Sequence, residues 1–335
     1  FLQNYSSKYS DVKYKKYCDL YNHIISKSLS SIKVNPNEHN KAKIGFLSND
    51  LRDHPVGYFI IDFIAELKAR NFIPVAFNLF YDGKNETNFT KDLKKSFSEW
   101  YDVKNLSDID LCKMINKKKI YYLFDLGGYN VGNRLQIFKN KPVPVQISWL
   151  GYCNSTQINE IDYIISDPYT TTVNEENSYK EKILKIPNIW NAHSKLSEEK
   201  INDLPALTNK FFTFGSFNNY FKISDQAIKA WGKILDNVPN SRLILKSKHD
   251  VDKNFKNYLI KKFDNALNSE RLIFLNTVED KKNQLKDYNK IDISLDTFPY
   301  NGVTTSFESI WMGVPVLVLK GNRFVSRCGY SINKN

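Results

Sequence analysis

Residues 296–315 read Asp296-Thr-Phe-Pro-Tyr-Asn-Gly-Val-Thr-Thr-Ser-Phe-Glu-Ser-Ile-Trp-Met-Gly-Val-Pro315, a turn that leads from a strand into a helix. The apolar strand before it, Ile291 to Leu295, ends where this stretch begins, and apolar side chains recur at helical spacing in its second half. Thr304, Thr305 and Ser306 fall where the helix should begin. Their hydroxyls can cap free backbone N–H groups at the positive end of the helix dipole. Such a helix start predicts an anion site, and phosphate is the usual anion.

The same stretch carries side chains that a nucleotide would need beyond its phosphates. Asn301 and Gly302 lie in the turn, and Glu308 follows Thr304 and Thr305 by about one helical turn. A carboxylate so close to a phosphate site commonly binds ribose hydroxyls. An ordinary capped helix without a ligand is the alternative interpretation of this turn.

Length and composition limit the class of protein. The chain has 335 residues, so two domains of ordinary size are expected, and a hydrophobic fraction of 41% can build their cores. The net charge of +12 comes mainly from lysines spread along the chain rather than from one basic helix, which disfavours nucleic acid as a partner. No apolar run approaches the ~20 residues of a membrane span, and the N-terminus lacks the layout of a signal peptide.

The cysteines bear on the compartment and on metal binding. They are scattered with no paired spacing, at Cys18, Cys112, Cys153 and Cys328. This suits reduced thiols and a cytoplasmic protein, and it argues against a structural zinc site. No Asp-x-Asp motif, which could bind a metal ion, follows a predicted strand.

Residues 1–40 form a polar N-terminal helical segment. One amphipathic helix, Asp11–Ser28, is predicted there because tyrosines recur at near-helical spacing. The helix could be the last part of a helical repeat array, as in TPR-associated proteins, or it could pack on the domain that follows.

Two stretches of alternating strands and helices come next, and each predicts a parallel sheet with helices on both faces. The first covers residues 41–190 and includes a helix predicted to run to about Trp100. A polar, interrupted segment, residues 191–208, is the predicted linker. The second stretch covers residues 209–335. Ligands of such sheets lie beyond the carboxyl ends of the strands, so the turns there are the candidate sites.

Three turns of the first stretch carry residues capable of chemistry. His54 stands directly before Pro55 at a helix start, where it could transfer a proton or only cap the turn. The glycine-rich turn 125–134 lets the backbone approach a ligand, although it does not match a dinucleotide fingerprint. The turn 149–156 follows the end of a strand and leads into small polar residues. From the last two turns, four residues are expected to line a crevice: Tyr129, Arg134, Gly151 and Tyr152.

Lys222 is the candidate cation of the second stretch. It lies just past a predicted strand and before a helix, where a lysine can neutralise a diphosphate. Lysine is abundant in this chain, so the assignment rests on pairing with the helix start at Thr304 and Thr305 in the same half.

Four blocks of the chain resemble the catalytic region of the O-GlcNAc transferase and Spindly family of protein glycosyltransferases. They are Leu47–Ile60, Asp125–Tyr152, Phe217–Leu235 and Ile291–Gly329. The resemblance covers roughly residues 40–330, and residues 296–315 are its most specific part. It implies a GT-B fold, an α/β architecture of two Rossmann-like domains facing across a crevice, here preceded by the N-terminal helical segment. The family continues past Asn335, so the second domain is expected to be truncated.

The resemblance also implies roles for residues of both halves. His54 matches the histidine proposed as a base or acceptor-orienting group, and Lys222 matches the lysine that neutralises the leaving diphosphate. The other matches concern the nucleotide sugar. They are Asn219, where the family commonly has a glutamine near the diphosphate, Lys281 near the nucleoside, Thr304 and Thr305 on the diphosphate, and Glu308 on the ribose, with Asn301 and Gly302 in the same turn.

The implied reaction is a metal-independent, inverting transfer that needs no cofactor besides the nucleotide-sugar donor. A Ser or Thr hydroxyl of an acceptor protein attacks the anomeric carbon as the nucleoside diphosphate leaves. Val303 and Gln284 stand where the animal enzymes have histidines, so the donor is open between UDP-GlcNAc, which is expected, and GDP-fucose, which Spindly-type relatives use. Two other interpretations stay open: a GT-B transferase acting on a small molecule or surface glycan, and a non-catalytic nucleotide-sugar binding or scaffolding module.

Overall fold

The computed structural model describes residues 2–6, 8–26, 34–80, 86–194, 196, 199–247, 253–264, 271–276 and 281–335. The chain divides into two compact units. The first unit contains Tyr9–Ser194, and the second unit contains Leu2–Lys8 and Lys195–Asn335. Among the helices that the structure describes, none has both the length and the apolar composition needed to cross a membrane.

The first unit is built on a sheet of parallel strands. Its described strands are β1 (Asn40–Ser48), β2 (Ile73–Asn78), β3 (Glu99–Asp102), β4 (Ile120–Asp125), β5 (Val145–Ser148), β6 (Tyr163–Ser166) and β7 (Lys182–Lys185). They lie in the order β3-β2-β1-β4-β5-β6-β7, and every neighbouring pair is parallel. The last five residues of the central strand β1 are buried, as expected for a strand covered by helices on both faces. The predicted parallel sheet is therefore confirmed.

The helices of the first unit begin where the sequence supplies a cap. Those described are α1 (Asp11–Ser26), α2 (Pro55–Ala69), α3 (Asn88–Ser96), α4 (Asp108–Lys117) and α5 (Leu135–Lys139). Thr87 and Ser107 cap α3 and α4 with their hydroxyls. Pro55 occupies the first turn of α2, where its missing N–H costs no hydrogen bond.

Two elements of the first unit differ from the sequence prediction. The helix expected to run to about Trp100 ends at Ser96, and the residues after it form the edge strand β3. Trp100 and Tyr101 are good strand residues, and pairing with Ala76 and Phe77 of β2 decides the local structure. Helix α5 is not predicted because five residues are too few to show a helical period.

Helix α1 packs on the first unit, as one of the two interpretations of the N-terminal segment expects. Tyr14 and Cys18 are buried together with Tyr152. The Tyr14 hydroxyl lies 3.0 Å from that of Tyr152 and donates to the carbonyl of Ser155. The helix ends at Ser26, two residues before the predicted end, which falls outside the described residues.

The second unit has its own parallel sheet. Its described strands are β8 (Phe212–Ser216), β9 (Ser241–Leu245), β10 (Leu272–Phe274), β11 (Ile293–Leu295) and β12 (Val316–Leu317). Their order is β10-β9-β8-β11-β12, again with all neighbours parallel. The crossovers place the carboxyl ends of β8 and β11 side by side, and the turns that follow these two strands are therefore neighbours.

Helices cover both faces of this second sheet. The described ones are α6 (Pro205–Asn209), α7 (Asp225–Asn237), α8 (Lys253–Asp264), α9 (Lys281–Lys286), α10 (Thr304–Trp311) and α11 (Cys328–Lys334). On one face, Trp231 of α7 and Phe263 of α8 pack against Leu243 of β9. On the other, Leu285 of α9 and Met312, just after α10, pack with Ile244 of β9. Successive strand residues thus point to opposite cores.

Residues 2–8 belong to the second unit although they lie at the other end of the sequence. The ring of Tyr5 packs against that of Tyr300, with 4.7 Å between the ring centroids. The Arg323 side chain reaches the carbonyls of Asn4, at 3.5 Å, and Ser6, at 3.3 Å. This unit therefore takes its residues from both ends of the chain.

Candidate functional site

The turn after β11 is held in shape by a buried carboxyl group. Asp296 is 6% exposed, and its Oδ1 accepts hydrogen bonds from the backbone N–H groups of Thr297, at 2.8 Å, and Gly302, at 2.6 Å. The two ends of the turn are thereby tied to one atom. Gly302 is required for this closure, because a Cβ at that position would lie 2.5 Å from Thr305 Oγ1. The turn leads into α10 at Thr304, as predicted.

The threonine hydroxyls do not cap α10, which corrects the sequence prediction. The N-cap residue is Val303, and no side chain caps this helix start. Thr305 Oγ1 instead donates to Asn218 Oδ1 at 3.0 Å, in the turn after β8. Thr304 is half-buried at the first helical position. Among the described residues, the positive end of the helix therefore has no capping side chain, the arrangement that binds anions.

Lys222 lies beside this helix start. It ends a short 3-10 helix, Tyr220–Lys222, and its Nζ donates to the carbonyl of Asn301 at 2.9 Å. Its ammonium also lies 4.3 Å from the centroid of the Tyr300 ring. Lys222 and the turn before α10 therefore lie side by side, and the role of Lys222 toward a diphosphate stays a prediction. The neighbouring Asn219 side chain accepts from the Phe221 N–H and so caps the 3-10 helix.

Asn301 and Glu308 are held by bonds within the second unit. Asn301 is fully buried, and its side chain donates to the carbonyl of Thr297. Glu308 is half-buried, and its Oε2 accepts from the Tyr288 hydroxyl at 3.1 Å. Burial first, and Glu308 next, raise the pKa of Tyr288 well above its ordinary value. Tyr288 therefore stays a neutral donor that fixes the carboxylate one helical turn from Thr304.

The charge of the turn depends on Asp296. Burial raises the pKa of this carboxyl to about 7, although backbone N–H donors and the Lys222 ammonium act in the opposite direction.

The predicted nucleoside contact Lys281 begins α9, but its side chain lies outside the described part of the structure. Within the described residues, no group of three or more His, Cys, Asp or Glu side chains is arranged to hold a metal ion.

In the first unit, His54 pairs with a carboxylate at the start of α2. Its Nδ1 accepts from the Val56 N–H at 3.3 Å, and its Nε2 lies 3.7 Å from Asp50 Oδ1. A neutral His54 in this arrangement carries its proton on Nε2. Asp50 is absent from the sequence-based candidates. The signal that could have found it is its position four residues before His54 and two residues after the end of β1.

The four residues expected to line a crevice all have structural contacts, and Arg134 also lines a small cavity beyond the ends of β1 and β4. Tyr152 is 4% exposed under α1, and the Tyr129 hydroxyl donates to the carbonyl of Thr156. Arg134 forms an ion pair with Asp108 of α4. Gly151 lies so close to the preceding glycine-rich turn that a Cβ would be 2.0 Å from the Leu126 carbonyl oxygen. The expectation is corrected for Tyr152, which the packing of α1 buries, and it stays a prediction for Tyr129, Arg134 and Gly151.

Gly151→Ala should destabilise the first unit. The added methyl group collides with a backbone atom, and overpacking of this kind costs about 1–3 kcal/mol. Gly127→Ala is the matched control, since its Cβ would meet only Asp125 Oδ1 at 3.8 Å. Urea midpoints of the two variants measure the difference. Equal midpoints would show that the turn relaxes without cost.

The sequence and the structure both match known glycosyltransferases. The model of glycosyl transferase family 41 matches residues 13–199 and 202–333. A probable UDP-N-acetylglucosamine–peptide N-acetylglucosaminyltransferase SPINDLY of Solanum lycopersicum is 33% identical over 294 residues, which are 87% of this chain and 32% of that protein. Its counterpart SEC of Arabidopsis thaliana is 26% identical over 302 residues, which are 87% of this chain and 30% of that protein.

Among solved structures, a mutant of the Thermobaculum terrenum O-GlcNAc transferase superposes with a TM-score of 0.86 and 27% identity. The match covers 99% of this chain and 63% of that one. The fold class is therefore GT-B, as the sequence predicts. The chain spans about a third of the length of the curated relatives.

Proposed function

The chain belongs to glycosyl transferase family 41, and from this we propose that it is the catalytic region of an inverting enzyme that transfers a sugar from a nucleoside diphosphate to protein Ser or Thr hydroxyls. The observation that carries the proposal is the hydrogen bond of 2.9 Å from Lys222 Nζ to the carbonyl of Asn301, in the turn that leads into α10. A cation, an uncapped helix start and a hydroxyl-bearing residue meet there. These are the groups that a diphosphate needs when no metal ion neutralises it.

The reaction forms one bond at the anomeric carbon, breaks another there and removes the proton of the acceptor hydroxyl. The acceptor oxygen bonds to the anomeric carbon while the bond from that carbon to the diphosphate oxygen breaks. The bonding electron pair stays on the diphosphate, which leaves with one more negative charge than it had in the donor. Lys222 and the N–H groups at the start of α10 stabilise that charge as it develops.

The hydroxyl proton must leave the acceptor oxygen during the transfer. We assign this task, or the orientation of the acceptor, to His54, whose Nδ1 is occupied as a helix cap. In the tautomer that keeps the Val56 bond, Nε2 bears the ring proton and can orient the acceptor by donating to its oxygen. Nε2 can take up the hydroxyl proton only in the other tautomer, which has its proton on Nδ1 and gives up the bond from Val56.

The donor is proposed to be UDP-GlcNAc, because the relatives are named as UDP-N-acetylglucosamine–peptide transferases. GDP-fucose remains the alternative, since Val303 and Gln284 replace two expected histidines. A shift in melting temperature with UDP, GDP and their sugars would identify the donor. Transfer of labelled sugar to acceptor proteins then tests the function. Binding without transfer would favour the scaffolding module, and transfer only to small molecules or glycans would favour that class of enzyme.

Metal removal should leave activity unchanged. Lys222 and helix N–H groups supply the positive charge that a divalent cation gives in other transferases, so EDTA should lower the rate less than about twofold. The measurement is donor turnover with and without EDTA, followed by magnesium or manganese. Loss of activity on chelation and recovery with metal would overturn the metal-independent mechanism.

A reducing compartment such as the cytoplasm is proposed as the site of action. The four cysteines are buried thiols that form no disulfide in the described residues, which is stable where thiols stay reduced.

A further inference from the structure

Asp296 links the separate parts of the proposed donor site. Its Oδ1 accepts from three donors: the N–H groups of Thr297 and Gly302, and the side-chain amide of Asn218 at 3.4 Å. Asn218 in turn accepts the Thr305 hydroxyl at 3.0 Å. One carboxyl group therefore sets the positions of the turn, of the β8 turn and of a hydroxyl at the start of α10.

The second oxygen of Asp296 has a different environment. Within the described residues, Oδ2 is buried and has no hydrogen-bond partner. It lies against Gly329 of α11, where a Cβ would approach it to 2.5 Å. A proton added to Oδ2 would break none of the hydrogen bonds that Oδ1 accepts. The positioning network is therefore compatible with both the ionised and the neutral acid.

The charged group that faces Asp296 is Lys222, on the 3-10 helix after β8. Asn218, Thr297 and Gly302 surround it with neutral donors. Gly329 of α11, whose N–H donates to Asn301, lies against its Oδ2. A diphosphate in the site adds negative charge close to the carboxyl. It also attracts the Lys222 ammonium, which then neutralises Asp296 less. Both effects favour the protonated acid.

We propose that Asp296 is a positioning residue of the donor site and that it takes up a proton on Oδ2 when a nucleotide sugar binds. The proposal rests on the proposed function, because it places a diphosphate beside Lys222. Donor affinity then falls as the pH rises, since above neutrality the free protein must first protonate a buried carboxylate. Burial already raises the pKa of Asp296 to about 7, so the effect lies in an accessible pH range. If binding raises it by about one further unit, affinity changes by up to roughly tenfold.

The test is calorimetric titration of the protein with UDP-GlcNAc and GDP-fucose between pH 6 and pH 8.5. Both probes are diphosphate diesters whose own charge is constant in this range. The wild-type protein should bind the preferred probe on the order of 3- to 10-fold more weakly at the upper end. Buffers of different ionisation enthalpy should report an uptake of roughly half a proton per site near pH 7.5.

Asp296→Asn mimics the neutral acid, keeps an acceptor oxygen and should bind with little dependence on pH. Asp292→Asn is the matched control: it removes another buried carboxyl, at the other end of β11, which accepts from the Ala206 and Thr213 N–H groups. It should retain the wild-type pH profile. Proton uptake in the wild type needs no variant, so the proposal stays testable if Asp296→Asn does not fold.

The outcomes separate the two claims. If neither probe binds at any pH, the proposed function fails, and this inference fails with it. If a probe binds with an affinity independent of pH and without proton uptake, the inference is overturned while the proposed function stands. A pH dependence that persists unchanged in a folded Asp296→Asn variant also overturns it.

Discussion

Lys222→Ala should lower kcat by about 100- to 1000-fold while changing donor affinity far less. The charge on the leaving diphosphate grows during the reaction, so a cation beside it stabilises the transition state more than the bound donor. Losing one such group typically costs roughly 3–4 kcal/mol of transition-state stabilisation. Single-turnover rates and calorimetric affinity for the donor separate the two effects. An unchanged turnover would remove Lys222 from the mechanism.

A second lysine provides the control for this variant. Lys229 is exposed on α7, in the same unit, and Lys229→Ala removes the same charge without touching the turn. The Lys222 variant should also fold. The bond from Nζ goes to a backbone carbonyl, and such hydrogen bonds contribute only about 0.5–1.5 kcal/mol. A large fall in its urea midpoint would mean that Lys222 supports the turn rather than the chemistry.

Thr304→Val combined with Thr305→Val should abolish donor binding while leaving most of the stability. Two donors to a charged phosphate are lost, at about 1.5–3 kcal/mol each, where the Thr305 hydroxyl reaches the phosphate by turning away from Asn218. No cap is lost, because neither hydroxyl caps α10. The structural cost is the bond from Thr305 to Asn218, worth about 1 kcal/mol. Denaturant midpoint and calorimetric affinity for the preferred nucleoside diphosphate measure the two quantities together.

Thr208→Val, at an exposed position of α6, is the control for removing a hydroxyl from the same unit. It should bind the nucleotide as the wild type does. A double variant that unfolds much earlier, yet binds normally while folded, would make the two threonines structural and would reassign the start of α10.

Much of the fold could be predicted because strand and helix periods differ. The alternation from Lys43 onward shows in the spacing of apolar residues, so a parallel sheet in each half follows without tertiary information. The edge strand β3 could not be predicted this way. Glu99–Asp102 has too few residues to show a period, and its structure depends on pairing with β2. The local spacing of apolar residues does not show which strands pair with each other.

The candidate site was only partly predictable for the same reason. Lys222 and the turn before α10 are recognisable because they lie in contiguous motifs. Asn218 and Asp296 are single polar residues after strands, and only the adjacency of β8 and β11 shows that they bond to each other. Tyr152 was assigned to a crevice because its partner Tyr14, 138 positions earlier in the chain, cannot be found from local spacing.

The packing of residues 2–8 on the second unit has a practical consequence for dissecting the protein. An expression clone that starts at the linker would lack Tyr5 and the two carbonyls that hold Arg323. Tyr300, which also contacts Lys222, would then lose its aromatic neighbour Tyr5 in the isolated fragment. Nucleotide affinities measured on such a fragment would therefore belong to a turn that lacks its contacts with residues 2–8. Adding a synthetic peptide of residues 2–8 in trans, or fusing it through a flexible tether, would restore the missing contacts.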